Sequence, residues 1–74
     1  MTRKLRQLRA DLAGEGWKID HYTGSHQIWK HPLVPGKEVN LAGHDGADAH
    51  HYQENDVRAA VAMAREARRR SQQS

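Results

Sequence analysis

The chain contains no cysteine among its 74 residues, so it has neither disulfides nor thiolate metal ligands. No apolar run reaches the ~7 to 15 residues of a signal-peptide core or the ~18 of a membrane span. These absences lead us to expect a soluble, cytoplasmic protein with no membrane partner. The sequence has no Gly-x-Gly-x-x-Gly or Walker loop to cradle phosphates, and Ser25 has no base partner beyond its neighbour that would make it a nucleophile. Internal repeats and a second domain are also missing. A chain of this length forms one small domain with a core near the lower limit for independent stability, which excludes a large substrate cavity.

What is present is basic and rich in histidine. Lysine and arginine number 12 against 9 acids, with 6 histidines besides. The basic residues gather at the two ends, with Arg3, Lys4, Arg6 and Arg9 near the start and Arg65, Arg68, Arg69 and Arg70 near the finish. Two basic ends suit a polyanion such as the RNA backbone, for which Arg3, Lys4, Arg6, Arg68, Arg69 and Arg70 are the candidate contacts. They are equally compatible with the solvated faces of two amphipathic helices.

The periodicities place the elements within a single domain over residues 1–70. Thr2 is a good helix N-cap, and Leu5, Leu8 and Leu12 then follow at helical spacing until Gly14 and Gly16 end the segment. Trp17 to His21 alternates strictly, which predicts a strand with Trp17 and Ile19 buried and Lys18 and Asp20 wet. Tyr22 to Ser25 is the predicted turn, with Gly24 at positive φ, and a second strand runs from His26 to His31 before Pro32. After the Pro35-Gly36 turn, Glu38 to Leu41 forms a third strand with Val39 and Leu41 inward. Residues Ala42 to Gln53 lack periodicity and read as a functional or mobile surface loop carrying His44, His50 and His51. Asn55 is the expected N-cap of a last helix whose face of Val57, Ala60, Val61 and Ala64 runs to about Arg70. Residues 71–74 have no apolar anchor and should fray. The fold class is therefore α+β, an α-β-β-β-α sandwich. Its three-stranded antiparallel sheet carries both helices on one face, the layout also seen in double-stranded-RNA-binding domains.

Register in the second strand determines which residues face solvent, because Ile28 and Trp29 point to opposite sides. Burying an indole removes ~150 to 250 Å² from water, more than an isoleucine offers, which places Trp29 inward and His26, Ile28 and Lys30 outward. The opposite register would bury Ile28, make Trp29 a base-stacking platform and turn His26 inward.

His26 follows the Gly24-Ser25 turn at the start of a strand, near solvent and held by backbone. A side chain that titrates near neutrality is suited there to general acid/base chemistry, although a histidine at a turn can simply be a polar turn residue. Zinc is the rival use for the histidines. However, His26 and His31 lie an odd number apart on one strand, and no cysteine or carboxylate completes a ligand set. His50 and His51 read as solvated loop residues, and no metal or small-molecule cofactor is expected.

The combination of a leucine-bearing first helix, Gly16-Trp17 at its end, Gly24-Ser25-His26, an aromatic at Trp29 and the His31-Pro32 close resembles the HicA family of small toxin ribonucleases. The similarity runs from about Leu5 to Val61, and its most specific part is Gly-Ser-His with an aromatic three residues on. Family members typically carry Pro-x-His after the third strand and Gly-Thr-Leu at the start of the last helix. This chain has Ala42-Gly43-His44 and Asn55-Asp56-Val57 instead. The resemblance implies an endoribonuclease acting on mRNA in a toxin-antitoxin system, with His26 catalytic and a HicB-like antitoxin covering the site.

The chemistry fits one histidine. RNA supplies its own nucleophile in the 2′-hydroxyl, so a base that removes that proton can start cleavage without metal-bound water. Gly24 and Ser25 shape the turn, and Lys30 and His44 are the nearest candidates for assisting the phosphate and the leaving oxygen. Two competing readings remain open. One is a non-catalytic RNA-binding module of the same fold, and the other is a partner-docking protein that uses the Ile28 edge.

Overall fold

A computed structural model describes residues 3–72. The elements follow in the order α1 (Leu5–Gly14), β1 (Lys18–Thr23), β2 (His26–Lys30), β3 (Val39–Ala42) and α2 (His51–Ser71). The strands form one antiparallel sheet with β2 in the centre. The α-β-β-β-α architecture expected from the sequence is thus the one observed.

A single core joins the layers. Leu5, Leu8 and Leu12 of α1 meet Val57, Ala60 and Ala64 of α2, and both sets pack with Trp17, Trp29, Val39 and Leu41. Trp29 pairs with Val39 and Gln27 with Leu41, so these four share the sheet face that the helices cover. Alanines at positions 60 and 64 let α2 approach closely, since both are fully buried. The Trp29 indole N–H donates to Gln27 Oε1 at 3.4 Å, and Arg9 Nε donates to the same oxygen at 2.8 Å, so the polar edge of the buried ring is satisfied.

β1 departs from the expected pattern. Ile19 pairs with Trp29, but the next pair is His21 with Ile28, which leaves Asp20 as an extra residue in a β-bulge. Ile19 and Tyr22 therefore both lie on the helix side, yet they are 38% and 62% exposed. The cause is coverage: the core draws on β2, β3 and both helices and contains none of the β1 residues, so the helix layer does not extend over this edge as it does over β3. Alternation predicted a buried Ile19, and the lack of a covering helix overrides it. The following turn is tighter than Tyr22 to Ser25. Thr23 pairs with His26, so the loop is Gly24-Ser25 alone, with Gly24 at φ +60 and Ser25 not positive, as a two-residue hairpin turn opening on glycine requires.

Trp29 faces the core as expected, but Ile28 is also buried, at 7% exposure. It lies on the outer face, flanked along β2 by His26 and Lys30 and across the strands by His21 and Asn40. A central-strand aliphatic flanked by four polar side chains is shaded by them without a second layer. Ile28 is thus covered by its neighbours on the outer face and not open to solvent as expected.

Two boundaries also move. Thr2 lies outside the described residues, and the N-cap of α1 is Lys4, whose backbone N–H donates to Gln7 Oε1 at 2.8 Å. The last helix begins at His51 rather than after Asn55, and its N-cap is His50, whose N–H donates to Gln53 Oε1 at 2.8 Å. At both helix starts a glutamine at the third helical position accepts from the cap N–H, which is the other half of a capping box from the side-chain cap expected of Thr2 and Asn55. His50 and His51 thus belong to a helix start, and Asn55-Asp56-Val57 lies inside α2. The helix runs on through Ser71, one residue into the segment expected to fray, while residues 73 and 74 lie outside the described range.

The segment between β3 and α2 is tied down rather than loose. The Leu5 and Arg6 amides donate to the carbonyls of Ala47 and Asp45 at 3.0 and 3.1 Å, and the Ala49 amide donates to Arg3 O at 2.7 Å. The loop therefore supplies partners that the first turn of α1 would otherwise lack. Arg9 secures its start through Gly43 O at 2.7 Å and the Asp45 carboxylate. Gly43, at φ +124, sits where any Cβ would run into Leu5 Cδ1, so only glycine fits.

Candidate functional site

β2 begins directly after a two-residue turn, so the direction of the His26 side chain follows from the register. His26 pairs with Thr23 on one side and Ala42 on the other, and it is exposed on the face away from the helices. Its Nδ1 lies 2.7 Å from Asn40 Oδ1 on the neighbouring strand. An amide oxygen can only accept, so Nδ1 is the donor of this contact, and in the neutral ring the lone pair is then on Nε2. The ring is thereby held in one orientation with its basic nitrogen free, the condition a general base needs.

His26 does not stand on an open sheet alone. It lines a groove of about 190 Å³ with Asn40, Ala42, Tyr52, Gln53 and Asp56, formed where the end of β3 meets the first turns of α2. Gln53 closes the floor; it is buried, and its Nε2 donates to Ala42 O at 3.4 Å. Tyr52 is 63% exposed and lies nearly parallel to the His50 ring, with centroids 5.7 Å apart. Sequence reasoning missed Asn40, Tyr52 and Asp56. Asn40 carries no signal until the register is known, Tyr52 fell in the apparent loop before a helix started at Asn55, and Asp56 was read as an ordinary first-turn acid of that helix.

The remaining expected site residues are distributed less favourably. Gly24 and Ser25 form the turn beside His26, as expected. Lys30 shares the outer face, but its ammonium lies between Glu38 at 3.4 Å and Asp20 at 3.6 Å. The hydrogen bond to Glu38, reinforced by the charge of Asp20, raises the Lys30 pKa, so the group stays charged and gives up its proton reluctantly. Asp20 also accepts from His21 Nδ1 at 2.7 Å, and this bond, with Lys30 nearby, holds its carboxyl below the usual range. His44 is exposed in the loop after β3 and is not among the residues lining the groove.

The basic ends are largely paired internally. Arg3 reaches Asp11 and Lys4 reaches Asp48, each at 2.6 Å. Arg68 binds Glu15 together with Arg65, and Arg69 and Arg70 bind Glu66. Of the six expected backbone contacts, Arg6 alone has no ion pair among the described residues. Exposed pairs of this kind are worth only ~0 to 1 kcal/mol, so a polyanion can displace them at small cost, but they do not present a preformed positive surface. Among the described residues no group of three His, Cys, Asp or Glu side chains converges to hold a metal ion, and no helix is long and apolar enough to cross a membrane.

Comparison with known proteins adds no relative. No family model matches the chain, and no curated protein or solved structure matches it either.

Proposed function

We propose that this chain is a HicA-type endoribonuclease that cuts mRNA by histidine-assisted attack of the 2′-hydroxyl and is neutralised by a HicB-like antitoxin. The observation that carries the reading is the His26–Asn40 pair at the mouth of a groove, with Nε2 unencumbered. In the reaction His26 Nε2 takes the 2′-hydroxyl proton, the 2′-oxygen bonds to phosphorus, and the bond to the 5′-oxygen breaks. The products are a 2′,3′-cyclic phosphate and a 5′-hydroxyl, the latter formed when the leaving oxygen takes up a proton. Lys30, held charged by two carboxylates, serves as a fixed positive charge on that face rather than as the proton donor. Such a role belongs in the cytoplasm, where messenger RNA is found. General-base catalysis of this kind contributes ~10² to 10⁴ in rate, so a slow enzyme is expected.

The test is incubation of the purified protein with single-stranded RNA in excess chelator, beside His26→Ala. The unmutated protein should cut and leave cyclic phosphate ends, and the variant should lose ~10²-fold or more. Equal cutting by both, or cutting only with added divalent metal, defeats the assignment. Binding of RNA with unchanged affinity by both proteins and no cleavage by either would identify the non-catalytic RNA-binding module instead.

A further inference from the structure

The groove beside His26 has a carboxylate that the cleavage chemistry does not use. Of the nine acidic side chains, seven are engaged by cations of the chain: Asp11, Glu15, Asp20, Glu38, Asp45, Asp48 and Glu66. Glu54 and Asp56 are the two without an ion pair among the described residues. Glu54 lies in the cleft between the two helices, near Arg3 and Arg58. Asp56 instead lines the groove with His26 and Asn40. Tyr52 and Asp56 are four residues apart on α2, hence on one helical face, and both border the same opening. The nearly parallel His50 ring backs Tyr52 and stiffens an otherwise mobile phenol.

An exposed aromatic plane beside an unpaired carboxylate is a base-recognition arrangement. The plane accepts stacking from any base, worth ~1 to 3 kcal/mol, while the carboxylate chooses among bases by counting donors. Guanine alone presents two adjacent donors on its Watson–Crick edge, N1–H and the exocyclic N2–H2, which match the two carboxylate oxygens. Adenine and cytosine each offer one amino donor beside an acceptor nitrogen, and uracil offers one N–H between two carbonyls. In those three cases a carboxylate faces at least one lone pair. At about 190 Å³ the groove is below the ~300 Å³ at which drug-sized pockets begin, so it suits one base and not a folded RNA.

We infer that the groove formed by Tyr52 and Asp56 is a base subsite that selects guanine, with Tyr52 stacking and Asp56 accepting from N1–H and N2–H2. It rests on the ribonuclease reading only for its placement of the guanosine next to the cut; recognition of the base stands on the groove itself. A guanosine seated there brings its ribose and phosphate to the His26 end, so cuts fall beside guanines.

Two measurements test it separately from cleavage. The first titrates guanosine, adenosine, cytidine and uridine 3′-monophosphates onto the protein and onto Asp56→Asn, followed by NMR of the α2 amides. Guanosine monophosphate should bind at least tenfold more tightly than the others, and Asp56→Asn, which replaces one acceptor by a donor, should erase that preference while its amide spectrum stays folded. The second maps the cut sites in an RNA of mixed sequence, where guanine-adjacent cuts should dominate and the guanine-to-adenine ratio should fall at least tenfold in Asp56→Asn. Guanosine selectivity in binding with no cleavage upholds the subsite and defeats the ribonuclease reading. Cleavage with no base preference, equal binding of all four nucleotides, or selectivity that survives Asp56→Asn overturns the subsite.

Discussion

On the helix side of β2, Trp29 is packed among residues of both helices and β3, and its indole N–H is bonded to Gln27. On the other side of the same strand, His26, three residues before Trp29, and Lys30, one residue after it, are held by hydrogen bonds and ion pairs to Asn40, Asp20 and Glu38. The first face is fixed by area removed from water, which tolerates little change. The second is fixed by exposed polar pairs of small individual worth, so its residues can be chosen for chemistry at little cost to the fold. In this small domain the apolar core and the polar cluster around His26 lie on opposite sides of one strand, the separation that the proposed site would use.

The comparison breaks most severely at Trp29. Trp29→Ala removes the largest side chain that the sheet contributes to the core and should cost ~3 to 5 kcal/mol, most of the stability of a domain at the ~5 kcal/mol lower end of the usual range, read as a large fall in the urea midpoint. Ile28→Ala probes the other face. It should cost less, about 2 kcal/mol from the lost aliphatic area, since the polar neighbours can close over the gap. A cost equal to that of Trp29→Ala would mean that the outer face is a second core.

The next effect is on pH dependence. Asp20, bonded by His21 and facing Lys30, and Glu15, bonded by Arg65 and Arg68, both have lowered carboxyl pKa values. A lowered carboxyl stabilises the fold fully above the ordinary value of ~4 and loses that contribution as pH falls through the folded value. The Lys30 shift has the opposite sense, so its contribution is complete below ~10.4 and fades as pH rises beyond it. Melting temperature should therefore fall on the acid side below ~4 and on the alkaline side beyond ~10.4, and Asp20→Asn should make the acid limb shallower. An unchanged acid limb would show that the outer-face pairs contribute nothing.

The smallest stability effect is expected at His26. His26→Ala gives up one exposed hydrogen bond and should stay within ~0.5 kcal/mol of the parent, while the proposed cleavage should fall ~10²-fold or more. A large loss of stability would remove the separation between the two faces.

Much of this was legible before any coordinates. Leucines at helical spacing, strict alternation around Val39 and Leu41, and the Gly24-Ser25 turn specify the element order locally, and the greater area of an indole indicates which way Trp29 turns. The helix starts were read from side-chain caps, Thr2 and Asn55, whereas the chain uses Gln7 and Gln53 reaching back to Lys4 and His50. Glutamine at the third helical position looks like any polar helix residue, so that device is hard to see in sequence. Starting the second helix at Asn55 left Tyr52 in an apparent loop, so that it and Asp56, already in the helix, did not read as one helical face.

What the sequence by itself determined is therefore the set of elements, the apolar stripe of each, and the emergence of His26 on a rigid strand start, because these depend on spacing along the chain. Only the tertiary structure decided that Ile19 would be exposed at an edge, that Asn40 would orient the His26 ring, and that Tyr52 and Asp56 would border the same groove. Those facts depend on which strands the helices cover and on residues 12 or more positions apart meeting across β2, β3 and α2. Pairings at that separation are set by packing the whole core, and no local pattern records them.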